Sequence, residues 1–320
     1  MDQLLHISMS HLFSIGFYNL ENLFDPFDQK ANLDKDFTPT GKFQWDEQKY
    51  SKKINQLSEV IAKIGLHGSE QPPILLGVCE VESESCLQDL VNSSALERFN
   101  YGYVFQKSED PRGMQVALLF QKEFFKVLSY ETYTIEFQTD VEPTRDVLQV
   151  TGELFGQNLH CLINHWPSRK DGTIKTNHKR ISAADLVQKI IGQLSDNEED
   201  PKIIIMGDFN DDPSNQSMLM LDSSQFVNSM VSFHKQKKGS VKYKGKWIMF
   251  DQILFSKNLQ NHTCFSYQSS HIYVDPSLIQ KSGRYKGSPK RTFTGNYYQG
   301  GFSDHFPVYI YLENHRCDQA

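Results

Sequence analysis

Eight short stretches of the chain have the hydrophobic pattern of β-strands, and several of them are apolar on successive positions. Strands of that kind are covered on both faces, as in a layered α/β protein. The stretches at 147–155 and 159–165, joined at Gly156-Gln157-Asn158, predict an antiparallel hairpin, so the sheets are mixed rather than purely parallel. The predicted strands are FSIGFYNL (13–20), ILLGVCE (74–80), QVALLF (115–120), VLQVTGELF (147–155), LHCLINH (159–165), KIIIMGD (202–208), WIMFDQILF (247–255) and FPVYIYL (306–312).

Helical periodicity is clearest over 46–66, where apolar residues recur at steps of three and four and Asp46 can cap the first turn. Similar spacing predicts a second helix over 179–195, and a short helix is expected over 89–96. Residues 25–46 are polar and irregular, which predicts a long loop after the first strand. Strands interspersed with amphipathic helices, without internal repeats, indicate an α/β fold.

Polar side chains cluster where the predicted strands end, which is where rigid scaffolds present catalytic groups. Carboxylates at the margin of a buried sheet are unfavourable unless a cation compensates them. Acids, amides and histidines from distant segments therefore suggest a site for a hard metal ion with oxygen ligands, and the absence of a Cys/His set argues against structural zinc. The clusters are Asn19 and Glu21, Glu80, Asn164-His165, Asp208 to Asp212, and Ser303-Asp304-His305.

Two of these clusters contain polar residues at a spacing of two. Asn19 and Glu21 form one such pair, and Asp208 and Asn210 form the other. If the extended strand geometry continues, the two side chains of each pair lie on one face. One member could then hold metal or water while the other contacts phosphate.

Asp251 interrupts the apolar stretch WIMFDQILF in mid-strand. Burial of an unpaired carboxylate there would cost several kcal/mol of folding free energy, or the group would become protonated and neutral. His305 is the best partner that the sequence offers, and an acid that orients a histidine is a recurring catalytic arrangement. The alternative for Asp251 is an acid at a sheet edge that faces solvent. Each of the other strand-end clusters, taken alone, could be a turn or a solvated strand end. The joint occurrence of the clusters favours a site.

The formal net charge of −6 argues against a protein that coats nucleic acid without specificity. The charge is uneven, however, because residues 235–246 contain six lysines and residues 281–291 contain five Lys or Arg, and neither segment contains an acid. Two interpretations stay open for these segments. They are either solvated loops or a basic rim that faces a polyanionic substrate.

The chain has no apolar run of about 18 residues, so we expect no transmembrane helix and no stable membrane insertion. Its first residues lack the positive n-region of a signal peptide, which favours the cytoplasm. A processed chain would look the same, so a secreted or periplasmic location stays open.

Five cysteines without CxxC spacing form neither a zinc set nor a disulfide framework, and we expect Cys79 and Cys161 to be buried.

Seven segments, in their order along the chain, resemble the endonuclease/exonuclease/phosphatase superfamily, which includes deoxyribonuclease I, and most of all its bacterial members. The resemblance spans Phe17 to Tyr309 and depends on GDFN followed by SDH, with an asparagine near the start. It implies a deoxyribonuclease I-like four-layer α/β sandwich, with two mixed β-sheets face to face and helices outside, in a single domain of residues 1–320. The segments are FYNLENLFD, LLGVCEVES, DPRGMQVALLF, INHWPSR, IIIMGDFNDDPS, WIMFDQILFS and GGFSDHFPVY.

The resemblance also implies a hydrolase of phosphate esters that depends on Mg²⁺ or Mn²⁺. Glu80 matches the principal metal-binding glutamate of the family. Asn19 and Glu21 match residues that help to place that metal, and Asp304 matches an acid of the metal and base network.

Further matches imply catalytic roles. Asp208 matches the aspartate that aligns or deprotonates the attacking water, and Asn210 matches its phosphate-contacting partner. His305 matches the histidine that contacts the scissile phosphate, with Asp251 as its carboxylate. His165 matches a second histidine, which nuclease members use near the leaving group.

Two arginines are candidates for substrate binding. Arg145 lies where nuclease members place a phosphate-binding arginine, whereas Arg112 either binds phosphate or closes the turn at 111–113.

One position departs from related bacterial sequences, because Gln115 stands where an acid is usual. That acid is the expected partner of the histidine that matches His165. Glutamine cannot offset an imidazolium charge, so we expect His165 to be a weaker acid–base group here.

The predicted reaction is in-line attack of water on phosphorus, and we expect an endonuclease or exonuclease that cleaves phosphodiester bonds. The basic segments argue for DNA or RNA, since Lys and Arg bind phosphate backbones of any base sequence. The alternative is a phosphatase or phosphodiesterase for a lipid or sugar phosphate, which the overall acidity and Gln115 favour. A third hypothesis is an inactive binding module, against which the intact metal and histidine set argues. We expect a monomer.

Overall fold

The computed structural model describes residues 11–27, 35–137, 143–170, 172–222 and 225–315. In chain order these residues form the strands β1 (His11–Leu23), β2 (Leu75–Val81), β3 (Tyr101–Phe105), β4 (Gln115–Gln121), β5 (Phe125–Tyr133), β6 (Val147–Leu154), β7 (Gln157–His165), β8 (Ile203–Asp208), β9 (Phe226–Asn228), β10 (Val241–Tyr243), β11 (Lys246–Ile248), β12 (Asp251–Ser256), β13 (Phe265–Ile272), β14 (Phe293–Thr294), β15 (Tyr297–Tyr298) and β16 (Val308–Asn314). The α-helices are α1 (Glu47–Ile61), α2 (Glu84–Val91), α3 (Asn177–Asn197), α4 (Gln216–Leu221) and α5 (Val231–Lys235).

Twelve of these strands build two six-stranded sheets. The first sheet has the spatial order β13-β16-β1-β2-β4-β3, and the second has the order β5-β6-β7-β8-β12-β9. Each sheet contains one parallel pair, β1 with β2 and β7 with β8, and its other neighbours are antiparallel. The carboxyl ends of two parallel strands lie at the same edge of a sheet, so each sheet presents one such edge to a site.

Three apolar layers hold the two sheets and the helices together. The core between the sheets contains Phe17 of β1 and Ile163 of β7. Leu57 of α1 packs in the layer that covers the outer face of the first sheet, and Val187 of α3 packs in the layer over the second sheet. The predicted four-layer α/β sandwich is therefore confirmed. That all 320 residues form a single domain stays a prediction.

Several predicted elements are confirmed. The side chain of Asp46 accepts a hydrogen bond from the backbone nitrogen of Lys49 at 2.9 Å, as expected of the residue that caps α1. β6 and β7 form the predicted hairpin, but its turn consists of Phe155 and Gly156, both with positive φ, rather than of residues 156–158. Residues 25–27 and 35–46 contain no helix or strand, as predicted, whereas 28–34 lie outside the described residues.

Several predicted elements have shifted bounds: the helix predicted over 46–66 is α1 (Glu47–Ile61), the one predicted over 179–195 is α3 (Asn177–Asn197), and two further elements differ more. The stretch WIMFDQILF is two strands rather than one, because β11 pairs with β10 while β12 pairs with β8 in the second sheet. Asp251 is therefore the first residue of β12 and not a mid-strand residue. The short helix predicted over 89–96 is α2, which begins earlier because the Ser83 side chain accepts a hydrogen bond from the backbone nitrogen of Cys86.

The cysteines behave mostly as small apolar residues. Cys79, Cys86 and Cys161 are buried free thiols, whereas Cys264 is disulfide-bonded.

Within the described part of the chain, no helix combines the length and the apolar character needed to cross a membrane.

A fully buried ion pair fixes the loops that follow β7 and β8. The Nε atom of Arg180, on α3, lies 2.8 Å from Oδ2 of Asp211, and neither side chain is exposed. The Nη2 atom of Arg169 donates to the other oxygen of Asp211 at 2.6 Å. Because one carboxylate binds two arginines from different segments, the HWPSR and GDFNDD segments keep a fixed relative position.

We expect Asp211→Ala to lower the free energy of unfolding by about 3–5 kcal/mol, because the variant leaves the Arg180 guanidinium buried without its carboxylate. Urea denaturation followed by circular dichroism measures this change. Asp185→Ala, which removes an exposed carboxylate from α3, is the matched control and should change the stability by less than about 0.5 kcal/mol. Equal stability of the two variants would contradict the role assigned to Asp211.

Candidate active site

The carboxyl ends of both parallel strand pairs meet at one end of the sandwich. Asn19 ends the extended part of β1, and its Nδ2 atom donates to Oε1 of Glu80 at 3.1 Å and to Oδ2 of Asp208 at 3.1 Å. Glu80 belongs to the first sheet and Asp208 to the second. His165 is the register partner of Asp208 in β7 and β8. A single amide thus joins the polar clusters of the two sheets.

His305 and Asp251 are in contact, as the sequence predicts. Nδ1 of His305 lies 2.6 Å from Oδ2 of Asp251, and Nε2 lies 3.8 Å from Oδ2 of Asp208. Asp251 is wholly buried, and it is paired in register with Asp208 because β12 runs antiparallel to β8. The imidazole therefore lies between two buried carboxylates, and its Nε2 edge faces the polar cluster.

Left-handed backbone conformations redirect side chains at the strand ends. Glu21, Asn22, Glu80 and Asn210 all have φ between 49° and 61°, a region that L-residues enter rarely. The register of β1 with β2 shifts after Asn19 for the same reason. Residues two apart are expected to share a face if extended geometry continues, and that condition is not met at Glu21 or Asn210. Such conformations concentrate at functional sites.

Glu21 and Asp304 form ion pairs with Lys and Arg side chains of the chain itself, and their carboxylates are not hydrogen-bonded to the Asn19 amide that holds Glu80. Nε of Arg291 lies 3.2 Å from Oε1 of Glu21, and its Nη2 atom is hydrogen-bonded to Oδ2 of Asp304. The Nζ atom of Lys53, on α1, lies 3.7 Å from Oε2 of Glu21 and donates to the backbone carbonyl of that residue at 2.7 Å. Asp304 also reaches His305, with 3.8 Å between Oδ1 and Nε2.

Arg145, and not residue 115, is the partner of His165. Its Nε and Nη2 atoms lie 3.3 and 3.0 Å from the two ring nitrogens of His165, and its Nη1 atom pairs with Asp110 at 3.4 Å. The side-chain oxygen of Gln115 instead accepts from the backbone and hydroxyl groups of Ser108. The expected contact of residue 115 with His165 is therefore wrong, since the Gln115 oxygen is held by a loop.

The remaining predicted residues border the same cluster. Nη2 of Arg112 donates to the side chain of Asn22 at 2.7 Å, and the backbone nitrogen of Asn22 donates to Oε2 of Glu80 at 2.9 Å. The backbone nitrogen of Asn210 donates to Oδ1 of Asp208 at 3.0 Å, which fixes the carboxylate. The Asn210 side chain donates to the carbonyl of Trp166, so one of its two N–H groups is already used.

The two histidines have opposite electrostatic surroundings. Burial alone would lower the pKa of His305, but Asp251 and Asp208 raise that pKa well above its usual range. Burial and the positive charge of Arg145 hold the pKa of His165 well below its usual range. Burial also raises the pKa of Asp208 to about 7, although His305 opposes this effect. His305 is therefore the imidazolium of the site and His165 the neutral imidazole.

The donor set fits a divalent cation. Glu80 and Asp208 share one neutral partner, the Asn19 amide, and the Glu80 side chain is 15% exposed, which leaves its carboxylate accessible from solvent. The Oδ1 atom of Asp251 has no hydrogen-bond partner among the described residues. Asp208, Asp251 and His305 bring potential ligand atoms within 4.8 Å of one another. Carboxylate oxygens dominate this set, and they are the ligands that hard cations prefer.

Sequence reasoning missed two cations of the site. Lys53 lies on the apolar face of α1 beside Tyr50 and Ile54, and a lysine at such a position was a signal that it meets a buried acid. Arg291 belongs to one of the basic segments, and nothing in that run of charges distinguished it from its neighbours.

A profile of the endonuclease/exonuclease/phosphatase family matches residues 14–314. No curated protein matches the chain significantly. Many solved structures share its fold. One is an endonuclease/exonuclease/phosphatase family protein from Bacteroides thetaiotaomicron, with 16% identity, a TM-score of 0.61, and coverage of 95% of this chain and 98% of the other.

Two further structures carry more specific names. A mannosyl-6-phosphatase from Bacteroides thetaiotaomicron has 17% identity and a TM-score of 0.60, with 94% of this chain and 99% of the other covered. TDP2 from D. rerio, complexed with a single-strand DNA product, has 14% identity and a TM-score of 0.57, with 94% and 98% covered. At these identities the likeness shows the fold, whereas the profile match covers nearly the whole chain. The protein therefore belongs to the endonuclease/exonuclease/phosphatase family and is a hydrolase of phosphate esters.

Proposed function

We propose that this hydrolase is a metal-dependent nuclease that cleaves phosphodiester bonds in DNA or RNA. The observation that carries the proposal is the position of the two acid-free segments, 235–246 and 281–291, which we call the basic rim. Both segments adjoin the candidate active site, so a long polyanion can contact them while one phosphate reaches His305. The expectation of a monomer stays a prediction.

The first segment of the basic rim is anchored directly beside the His305–Asp251 pair. The Oγ atom of Ser240 accepts from the backbone nitrogen of Asp251 at 3.2 Å, and the backbone nitrogen of Phe306 donates to the Ser240 carbonyl at 2.9 Å. The ring of Trp247, on β11, lies 5.7 Å from the ring of Phe306. The hairpin of β10 and β11 is therefore fixed next to the SDH segment.

The second segment joins the first to make one surface. A methyl group placed on Gly287 would lie 3.4 Å from Nζ of Lys242, so the two segments lie next to each other at this point. Tyr243 and Tyr285 are 61% and 42% exposed, and each carries a cation near its ring, Lys244 at 5.3 Å and Arg284 at 5.8 Å. Exposed aromatic rings among Lys and Arg are typical of surfaces on which nucleic-acid bases stack.

The chain's own residues have separate tasks in the proposed reaction. Asp208, held by the backbone nitrogen of Asn210, orients the attacking water and takes its proton. His305, charged beside Asp251, donates from Nε2 to a non-bridging phosphate oxygen. His165, neutral and held by the Arg145 guanidinium, lies on the other side of Asp208 and contacts the substrate near the leaving group.

Mg²⁺ or Mn²⁺ is the proposed cofactor. Glu80, next to Asn19, would be the principal ligand. Glu21 and Asp304, which the sequence also predicts as metal residues, form ion pairs with Arg291 and Lys53. When bound, such an ion neutralises charge on the phosphate and on the leaving oxygen.

The second candidate is a phosphatase or phosphodiesterase for a sugar or lipid phosphate. The mannosyl-6-phosphatase is as similar in fold as TDP2, with TM-scores of 0.60 and 0.57, and the net charge of −6 suits a small substrate better than a long polyanion. Purified protein with Mg²⁺ should be tested against plasmid DNA, abasic DNA, RNA, phosphoinositides and sugar phosphate monoesters. Turnover of monoesters with no cleavage of DNA or RNA would replace the nuclease proposal with this one.

We expect Asp208→Ala and His305→Ala each to lower kcat for phosphodiester cleavage at least about a hundredfold, because each removes a group that acts on the reacting atoms. Steady-state kinetics measure the effect, and circular dichroism verifies that both variants fold. His67→Ala removes an exposed histidine before the amino end of β2, whereas Glu80 lies near the carboxyl end of that strand, so this variant should leave kcat unchanged. Near-normal turnover in both site variants would contradict the assignment.

Removal of divalent ions should abolish activity. Dialysis against EDTA leaves the Glu80 carboxylate without its ion, and addition of Mg²⁺ or Mn²⁺ should restore turnover. A Glu80→Gln variant should require far more metal for half-maximal activity than the wild type. Full activity after exhaustive chelation would exclude metal dependence.

The basic rim predicts how DNA binding depends on salt. Lys244→Ala and Lys286→Ala, one from each segment, should weaken DNA binding and reduce the slope of log Kd against log salt by about one for each lost phosphate contact. Lys189→Ala, on the exposed face of α3, is the matched control and should leave affinity and slope unchanged. Fluorescence anisotropy with a labelled oligonucleotide measures both quantities. Slopes equal to wild type in both rim variants would remove the main support for a nucleic-acid substrate.

A further inference from the structure

The carboxylate of Glu21 is satisfied by groups of the chain itself. Its Oε1 atom accepts from Nε of Arg291 at 3.2 Å, and its Oε2 atom accepts from the backbone nitrogen of Thr292 at 2.6 Å. Nζ of Lys53 lies 3.7 Å from Oε2, and that lysine is 1% exposed. Both oxygens of Glu21 therefore have charged or backbone donors.

Arg291 connects Glu21 to Asp304. A guanidinium offers five N–H donors in a rigid plane, so it can bind two carboxylates at once. Here Nε faces Glu21 while Nη2 is hydrogen-bonded to Asp304. The Arg291 side chain is 41% exposed and reaches the acids from the basic rim, whereas Lys53 reaches them from the interior.

Formal charges divide the acids of the site into two groups. Glu21 and Asp304 are matched by Arg291 and Lys53, so this group is neutral. Among the described residues, no Lys or Arg nitrogen lies within 4.0 Å of the Glu80 carboxylate: Asn19 and the backbone nitrogen of Asn22 donate to it, and Nε2 of His165 lies 3.8 Å from Oε1. A divalent cation is therefore favoured at Glu80 and disfavoured at Glu21 and Asp304, where it would have to displace an ion pair.

We propose that Arg291, supported by Lys53, takes the place of a second metal ion between Glu21 and Asp304, so that the protein binds one divalent ion, at Glu80. This inference rests on the proposed metal dependence. It assigns Arg291 as a positioning residue, because it holds Asp304 beside His305 and keeps Glu21 away from the ion.

The test is the number of Mn²⁺ ions that the full chain binds. Isothermal titration calorimetry on metal-free protein, supported by the Mn²⁺ electron paramagnetic resonance signal, should give one ion per wild-type chain. Glu80→Gln should lose that ion. Two ions on the wild type, one of them lost in Glu21→Gln, would overturn the inference and leave metal dependence intact. No Mn²⁺ binding at all would overturn both the inference and the proposed function.

Variants of Arg291 test whether this arginine prevents a second metal ion from binding between Glu21 and Asp304. Arg291→Met keeps the aliphatic stem but removes the charge, so the number of bound Mn²⁺ ions should rise from one to two. Arg291→Lys restores a cation and should return the number to one. Arg284→Met, an exposed cation of the same segment, is the matched control and should bind one ion.

A folded Arg291→Met variant that still binds one ion would overturn the claim that Arg291 excludes the second. Circular dichroism of the metal-free variants shows whether they fold. If Arg291→Met does not fold, the wild-type number and its loss in Glu80→Gln still decide between one ion and two.

Discussion

The active site depends on one hydrogen-bonded amide, that of Asn19, which holds Glu80 of one sheet and Asp208 of the other. Two carboxylates repel each other, and burial strengthens that repulsion. A neutral amide can hold them at hydrogen-bond distance but cannot offset their charge. The two sheets therefore bring two carboxylates together at one point without a matching charge on the amide, and this is where the proposed metal ion would act.

The described residues pair some acids of the site with cations and leave others without one. Glu21 and Asp304 form ion pairs with Arg291 and Lys53, whereas in the part of the chain that the structure describes Glu80 accepts from an amide and a backbone nitrogen. Arg291, at the end of the segment 281–291, contacts the acids, whereas Lys281, Arg284 and Lys286 of the same segment are exposed. The proposed binding of substrate by the basic rim and the charge of the site are thus linked through one loop.

Asp208 has one histidine on each side, and the two differ in charge because of their partners. His305 contacts a buried acid, Asp251, and His165 contacts a buried cation, Arg145. Their Nε2 atoms lie 3.8 and 3.9 Å from Oδ2 of Asp208. The site therefore presents a charged and a neutral imidazole around one carboxylate, and such opposed surroundings are what separate acid and base roles in enzymes.

The sequence by itself determined the layered fold, the polar groups at the strand ends and the His305–Asp251 pair, because hydrophobic runs are local and a buried carboxylate requires a partner. Only the tertiary structure decided where Glu21 points, since a left-handed backbone ended the two-residue periodicity of β1. It also decided which cation meets which acid. Arg291 and Glu21 are 270 residues apart, and no local pattern encodes a contact that forms only when two sheets and a loop pack together.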